Sequence, residues 1–152
     1  MKSIVFCSSQ RFANELYEFI DELKQRAKEK GVGISVLHPQ FTQEEEPLRH
    51  LHERERLKDP AYKGEIASKV YDHLFRKVKV ADVCFIFNKN GYVGANVVGE
   101  LFAAAVLGKM IYSLEDKTLM GHYPHDLYEE PSARKLIHEV ILTPEELLSR
   151  LI

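Results

Sequence analysis

The feature that most constrains the fold is a set of short, mainly apolar segments separated by helical stretches. Residues 3–7 (SIVFC), 33–37 (GISVL), 82–87 (DVCFIF) and 110–114 (MIYSL) lack the polar alternation of half-exposed strands, and a further segment lies at about 138–142. Strands that are apolar on both faces form parallel sheets covered by helices on both sides. With right-handed crossovers, the pattern predicts an α/β fold: a doubly wound, flavodoxin-like sheet of five parallel strands in the order 2-1-3-4-5.

Apolar residues recur at helical spacing over about 12–27, 66–78 and 96–108, and "TPEE" at 143–146 forms a capping box. Two segments interrupt the alternation of strands and helices. The charged stretch at about 39–60 is expected to be an exposed helix ended by Asp59-Pro60, and the aromatic stretch at about 115–130 a long loop. At 152 residues the chain should form one domain over 1–152.

The composition excludes several classes of partner. Twenty-one Lys and Arg against 23 Asp and Glu leave a net charge of -2, which argues against nucleic acid, and no apolar run is long enough for a membrane span or a signal peptide. Cys7 and Cys84 lie in apolar strands, so we expect a reducing cytoplasm rather than a disulfide or a metal site. Four histidines lack a third ligand at recognisable spacing, so we expect no metal and no cofactor: His50, His52, His122 and His125.

A ligand of such a sheet should bind where the strand order reverses, between the first and third strands. The loops that follow these strands are "CSSQR" (7–11) and "NKNGYVG" (88–94), and each leads into a helix N-terminus that favours an anion. Ser8, Ser9 and Arg11 suit a phosphate, although the serines could equally cap the helix. Gly91 and Gly94 would let the backbone approach a ligand or simply make the turn.

A single carboxylate, Glu100, stands in the most apolar helix of the chain, expected in its first turn at this crevice. It could complement the helix dipole, but a buried carboxylate is costly unless it is hydrogen-bonded or used. Val98, Phe102 and Val106 leave the helix no polar face, so we expect it to be buried nearly all round. A homodimer or higher homo-oligomer is the simplest source of the extra cover.

The run from Ala81 to Asp116 resembles the nucleoside 2-deoxyribosyltransferase-like superfamily. Members typically carry Ala-Asp and an apolar strand, then a glycine-containing loop, a Glu in an apolar helix, and Gly-Lys before the next strand. The opening "FCSSQR" is similar to the first loop of the 2'-deoxynucleoside 5'-phosphate N-hydrolases of that group. The resemblance implies cleavage or transfer at the N-glycosidic bond of a nucleoside or its 5'-monophosphate.

Site residues follow from the resemblance by position. Glu100 matches the carboxylate that attacks the anomeric carbon, and Ser8, Ser9 and Arg11 would bind a 5'-phosphate. In the family the proton-donating acid lies four residues before the last apolar position of the preceding helix. Counted back from Val78 that position is Leu74, which cannot donate a proton, so the neighbouring Asp72 or His73 is the candidate donor. The transferases of the family usually have another acid just before the helix that carries the nucleophile, and this chain has no acid there. Asparagines stand there instead, and with Tyr92 they are candidate substrate-binding groups: Asn88, Asn90 and Asn96.

Two hypotheses remain open from the sequence. The first is an enzyme of the kind just described, and the second is a catalytically inactive nucleotide-binding or sensor module of the same fold. Glu100 favours the first and the asparagines favour the second. Tyr92 and Tyr123 could stack on a base or anchor their loops.

Overall fold

The computed structural model describes residues 1–41 and 53–152. Residues 42–52 of the charged insertion, which include His50 and His52, lie outside the described residues. The strands are β1 (Lys2–Cys7), β2 (Ile34–Leu37), β3 (Val83–Ile86), β4 (Met110–Ser113), β5 (Leu119–Gly121), β6 (Leu127–Glu129) and β7 (Glu139–Val140). β2, β1, β3, β4 and β7 form one parallel sheet in that order, which confirms the predicted topology.

The helices are α1 (Ala13–Glu29), α2 (Glu53–Arg56), α3 (Pro60–His73), α4 (Ala95–Val106), α5 (Pro131–Lys135) and α6 (Pro144–Leu151). Asp59 caps α3 by accepting hydrogen bonds from the Ala61 and Tyr62 amides, so Asp59-Pro60 does separate two helices. Thr143 caps α6 as its capping sequence predicts, with the Glu146 amide 3.2 Å from its hydroxyl. α3 continues into a π-helical turn over Leu74–Val78.

Alternate residues of the central strands pack into two separate apolar layers, one on each face of the sheet. On β1, Ile4 and Phe6 pack with α1 and α6, whereas Val5 and Cys7 pack with the π-helical turn, α4 and α5. This is the two-sided burial that the unbroken apolar strands predict, because successive side chains in a strand point to opposite faces.

The expectation that α4 is buried nearly all round is wrong for the single chain. Val106 is 88% exposed, Phe102 39% and Leu107 46%, while Val97, Leu101 and Ala104 are buried against the sheet. One face of the helix covers the sheet, while Phe102, Val106 and Leu107 on its other side remain exposed in the single chain. α4 therefore presents an apolar surface stripe to solvent.

The stretch at about 115–130 is more ordered than the long loop we expected. β5 and β6 pair antiparallel there, and the Val93 amide donates a hydrogen bond of 2.8 Å to the Leu119 carbonyl. These contacts hold the ribbon against the loop that leads from β3 into α4. Its strands are three residues long and mixed in polarity, so they carry too little alternation to be predicted from the sequence.

Among the described residues, no helix is long and apolar enough to cross a membrane.

Candidate active site

The loops after β1 and β3 face each other at the point where the strand order reverses. The Phe87 amide donates to the Cys7 carbonyl at 2.8 Å, which joins the two loops at their bases. Further out, the Phe12 and Tyr92 rings lie 6.4 Å apart between centroids. The two loops therefore meet at the switch point, where the doubly wound topology predicts a ligand crevice.

Three buried side chains from three different elements meet at the carboxyl end of β1, on the face of the sheet that α4 covers. Cys7 ends β1, His73 ends α3 and Glu100 lies in α4, and their sulfur, ring nitrogen and carboxylate oxygen all fall within 4.8 Å of one another. Cys7 Sγ is 3.5 Å from His73 Nε2. His73 is 3% exposed and Glu100 6%. We call these three residues the buried triad.

Glu100 is not in the first turn of its helix, contrary to the expectation. Gly94, with extended backbone angles, is the N-cap residue and Ala95 opens the helix, so Glu100 is its sixth residue. At 3.6 residues per turn it belongs to the second turn, where the dipole of the helix N-terminus has largely faded. The dipole therefore does not account for this carboxylate.

The π-helical turn after α3 decides between Asp72 and His73. In this turn the Lys79 amide donates to the Leu74 carbonyl, one residue further back than in an α-helix. Measured back from the buried Val78, the inward position thus moves from Leu74 to His73. Asp72 instead forms an ion pair with Arg76 at 3.3 Å, with 38% of its side chain exposed. The structure brings His73 to Glu100 and leaves Asp72 at the surface.

Burial sets the charge of the triad. It raises the pKa of Glu100 to about 8, an effect that the hydrogen bond from Cys7 partly offsets. It lowers the pKa of His73 to about 4, with the nearby Lys77 ammonium acting in the same direction. The pKa of Cys7 lies well above the usual value because of its hydrogen bond with Cys84 and its burial. At neutral pH the triad is thus a carboxylic acid, a neutral imidazole and a thiol.

The asparagines of the crevice have three different environments. Asn88 is fully buried, donates to the Glu115 and Lys117 carbonyls at 2.9 and 2.6 Å, and accepts from the Leu114 and Glu115 amides at 3.0 and 2.9 Å. All of its hydrogen-bonding capacity is used within the chain. Asn90 is exposed with φ 58°, and its side-chain Nδ2 donates to the Tyr123 hydroxyl at 2.9 Å. Asn96 is exposed in the first turn of α4.

The first loop is held by its own side chains and by two tyrosines. The Ser8 hydroxyl donates to the Ser9 carbonyl at 3.0 Å, and Arg11 Nε donates to the Ser9 hydroxyl at 3.1 Å. The Ser9 side chain makes no capping hydrogen bond to the helical turn that follows it. The Arg11 guanidinium lies over the rings of Tyr92 and Tyr123, 4.9 and 4.7 Å from their centroids.

The two glycines of the second loop differ in what they require. Gly91 has φ +79°, and a Cβ there would come within 2.9 Å of the Lys117 side chain, so the turn itself needs glycine. Gly94 has an ordinary φ of -77° and room for a Cβ at normal contact distance.

The sequence reasoning missed Cys7 as a member of the site. Its position at the carboxyl end of β1, on the face that α4 covers, is the signal that could have identified it. His122 and His125 are exposed beside the ribbon turn. Within the described part of the chain, the groups of three or more ligand-type side chains close enough to share a metal ion are limited to the buried triad.

Fold and site together define a doubly wound α/β domain with a buried glutamic acid next to its switch point. No family model and no curated protein matches the chain. Among solved structures, it is similar to a conserved protein from Enterococcus faecalis V583, at 16% identity and a TM-score of 0.58 over 98% of this chain and 96% of that one. This likeness shows a shared fold.

A second solved structure is a 2-deoxyribosyltransferase from Bacillus psychrosaccharolyticus. It is 16% identical, with a TM-score of 0.49 over 96% of this chain and 90% of that one. A TM-score that low supports no conclusion about this chain's reaction.

Proposed function

We propose that this protein cleaves or transfers at the N-glycosidic bond of a nucleoside or nucleoside 5'-monophosphate, with Glu100 as the nucleophile. The observation that carries the proposal is the buried carboxyl group of Glu100, which lies close to Cys7 and His73 next to the switch point of the sheet. The resemblance of Ala81–Asp116 to the deoxyribosyltransferase-like superfamily suggests the reaction, attack of Glu100 on the anomeric carbon. A buried acid with a displaced pKa in a crevice is a typical candidate for catalysis.

The proposed reaction balances with the protons that the triad already holds. A Glu100 oxygen attacks the anomeric carbon, the C–N bond breaks, and its electron pair leaves with the base. The proton of Glu100 passes to the neutral His73 imidazole and from there to the departing base. A glycosyl ester on Glu100 remains. A water molecule or a second base then attacks the same carbon, the ester C–O bond breaks with its electron pair returning to the Glu100 carboxylate, and the proton lost by the attacking group passes through His73 back to Glu100. His73 is thus the proton donor, and Asp72 at the surface has no part in this route.

The remaining candidates surround the crevice in supporting roles. Arg11, with Ser8 and Ser9, would bind a 5'-phosphate, and Tyr92 would stack on the base or the sugar. Asn90 and Asn96 are exposed near the crevice and would hydrogen-bond the ligand. Asn88, Gly91 and Gly94 would shape the loop from within, and we assign Asn88 no direct contact with substrate because its amide is already fully bonded.

The direct test is incubation with a panel of deoxynucleosides and their 5'-monophosphates, with free base measured by chromatography. Wild type should release base, and Glu100→Gln should lower the rate by at least about 10⁴-fold because the nucleophile is lost. Glu18→Gln, an exposed acid on α1, is the matched control and should retain full activity. Release that survives in Glu100→Gln would refute the role of Glu100.

The pH profile tests the proton route separately. The active form holds one proton shared by Glu100 and His73, so kcat/KM should follow a bell between about 4 and about 8, the pKa values of the pair. If Glu100 acted alone as a carboxylate, activity would instead keep rising through pH 8. His73→Gln should lower kcat by about 10²–10⁴-fold, as removal of a proton-transfer group does.

A second candidate function is a nucleotide-binding or sensor module without chemistry. It is favoured by the protonated state of Glu100 at neutral pH, because a carboxylic acid is a poor nucleophile. Tight binding of a nucleotide by wild type, with no base released from any member of the panel, would select this function over the first.

We also propose a homodimer that buries the apolar stripe of α4. Phe102 and Val106 are one helical turn apart on the exposed side, and Leu107 adds to the stripe. Sedimentation should give twice the chain mass for wild type and the chain mass for Val106→Asp. A monomeric wild type at all concentrations would contradict the proposal.

A further inference from the structure

The buried triad brings together three kinds of side chain that bind metal ions. A thiol, an imidazole and a carboxyl group lie with their ligand atoms within 4.8 Å of one another, and all three residues are buried. They come from a strand end, a helix end and the middle of another helix, so each is held by a separate packed element. Such rigid placement is what a metal site needs from its scaffold.

The separation of the sulfur and the imidazole nitrogen suits a tetrahedral ion. With Zn–S bonds of about 2.3 Å and Zn–N bonds of about 2.0–2.1 Å, a tetrahedral centre holds its sulfur and nitrogen ligands about 3.5 Å apart. Cys7 Sγ and His73 Nε2 are 3.5 Å apart. The Glu100 carboxylate oxygen lies within 4.8 Å of both.

The nitrogen of His73 that faces the triad has only a weak partner. His73 Nε2 lies 3.5 Å from the Cys7 sulfur, and a thiol is a weak hydrogen-bonding group. A metal ion bound at Nε2 would give this buried nitrogen a stronger partner.

Charge favours a divalent ion in particular. Metal ligands bind in their deprotonated forms, so Cys7 and Glu100 would contribute two negative charges and His73 none. Together with a divalent cation, the three ligands are neutral overall, which suits a site with little access to water. One thiolate, one imidazole and one carboxylate form a ligand set typical of zinc, since calcium and magnesium prefer oxygen ligands alone.

We propose that Cys7, His73 and Glu100 form a binding site for a single zinc-class divalent cation. The fourth position is left for a small exogenous ligand such as water. This site goes beyond the proposed glycosidic reaction and competes with it, because the carboxylate oxygens that would bind the metal are the ones that would attack a sugar. Metal-bound protein would therefore be held in an inactive form.

The test uses the full chain, reduced and freed of metal by a chelator, with no nucleoside present. Co²⁺ replaces zinc as an optical probe, because a thiolate ligand produces a sulfur-to-cobalt charge-transfer band. Wild type should bind one equivalent with this band, and Cys7→Ser should lose the band. By calorimetry, His73→Ala and Glu100→Gln should each bind Zn²⁺ more than about 100-fold more weakly, since even outer-shell partners are worth about 10–100-fold.

His125→Ala is the matched control, because it removes an exposed histidine and should leave Zn²⁺ affinity unchanged. Circular dichroism checks that each variant is folded, and Glu100→Gln, the most conservative change, keeps the test valid if another variant unfolds. The proposal is overturned if wild type shows no charge-transfer band, if the band persists in Cys7→Ser, or if Glu100→Gln binds Zn²⁺ as tightly as wild type. Because no nucleoside is present, the outcome for metal binding does not depend on whether the protein cleaves N-glycosidic bonds.

Discussion

Replacing Glu100 with glutamine should make the protein more stable at alkaline pH while leaving it unchanged in mild acid. In the folded chain the pKa of Glu100 is about 8, against 4.5 for an ordinary glutamate. Between these values the folded protein keeps a proton that the unfolded chain has released, so the free energy of unfolding of wild type falls as pH rises. Glutamine has the same shape, carries no titrating proton and removes this loss.

The magnitude follows from the difference between the two pKa values, about 3.5. A difference of one in pKa corresponds to about 1.36 kcal/mol, so the full effect on the free energy of unfolding is about 5 kcal/mol. Glu100 is nearly fully buried, so solvent screening does not reduce this figure appreciably. Glu100→Gln should therefore match wild type near pH 4.5 and exceed its free energy of unfolding by about 5 kcal/mol near pH 8.

His73 changes the free energy of unfolding of wild type with pH in the opposite direction. Its folded pKa of about 4 lies below the ordinary 6.5, so the unfolded chain binds the extra proton and stability rises with pH across that interval. Between about pH 4.5 and 6.5 the two slopes cancel, and wild type should show a plateau there. Above pH 6.5 only Glu100 acts, and the free energy of unfolding should fall by about 2 kcal/mol by pH 8.

Urea unfolding followed by circular dichroism at several pH values measures these differences. The control is Glu18→Gln on the exposed side of α1, which should differ from wild type by no more than about 0.5 kcal/mol at any pH. A difference between Glu100→Gln and wild type that stays constant from pH 5 to 8 would falsify the assignment of a raised pKa to Glu100.

Two further predictions concern the loop beside the site. Asn88→Ala should lower the free energy of unfolding by about 2–4 kcal/mol, because four hydrogen bonds to the backbone are lost, one of them to the buried Leu114 amide. Asn96→Ala in the exposed first turn of α4 should change the free energy of unfolding by less than about 1 kcal/mol in urea unfolding. Gly91→Ala should lower the thermal midpoint, at a cost of about 1–3 kcal/mol, because alanine disfavours φ +79° and its Cβ would meet Lys117. Gly94→Ala, with ordinary φ and free space, should have little effect, and equal losses in the two glycine variants would contradict this reasoning.

The position of Glu100 shows where sequence reasoning reaches its limit. Its isolation among apolar residues is visible in the sequence and correctly marks it as a buried acid at the crevice. Its turn of the helix was misjudged, because helix starts depend on local cap geometry at Gly94 rather than on periodicity. The ribbon of β5 and β6 was missed for a related reason, since very short strands carry almost no periodic signal.

The choice between Asp72 and His73 could not be made from the sequence. Counted back from Val78, an α-helical register points to Leu74, and the π-helical turn over Leu74–Val78 shifts that position by one residue to His73. One extra residue in a turn leaves no clear trace in the hydrophobic pattern. The tertiary structure is therefore needed to show that His73 is buried near Glu100 and that Asp72 is at the surface.

The sequence by itself determined the sheet, its strand order and the location of the crevice, because apolar strands alternating with helices permit few parallel topologies. It also singled out Glu100. Only the tertiary structure decided that Cys7, His73 and Glu100 meet, since residues 66 positions apart, such as Cys7 and His73, become neighbours through packing of a strand end against a helix end. The same burial makes Glu100 an acid and His73 a neutral base at pH 7, and no local sequence pattern encodes that degree of burial.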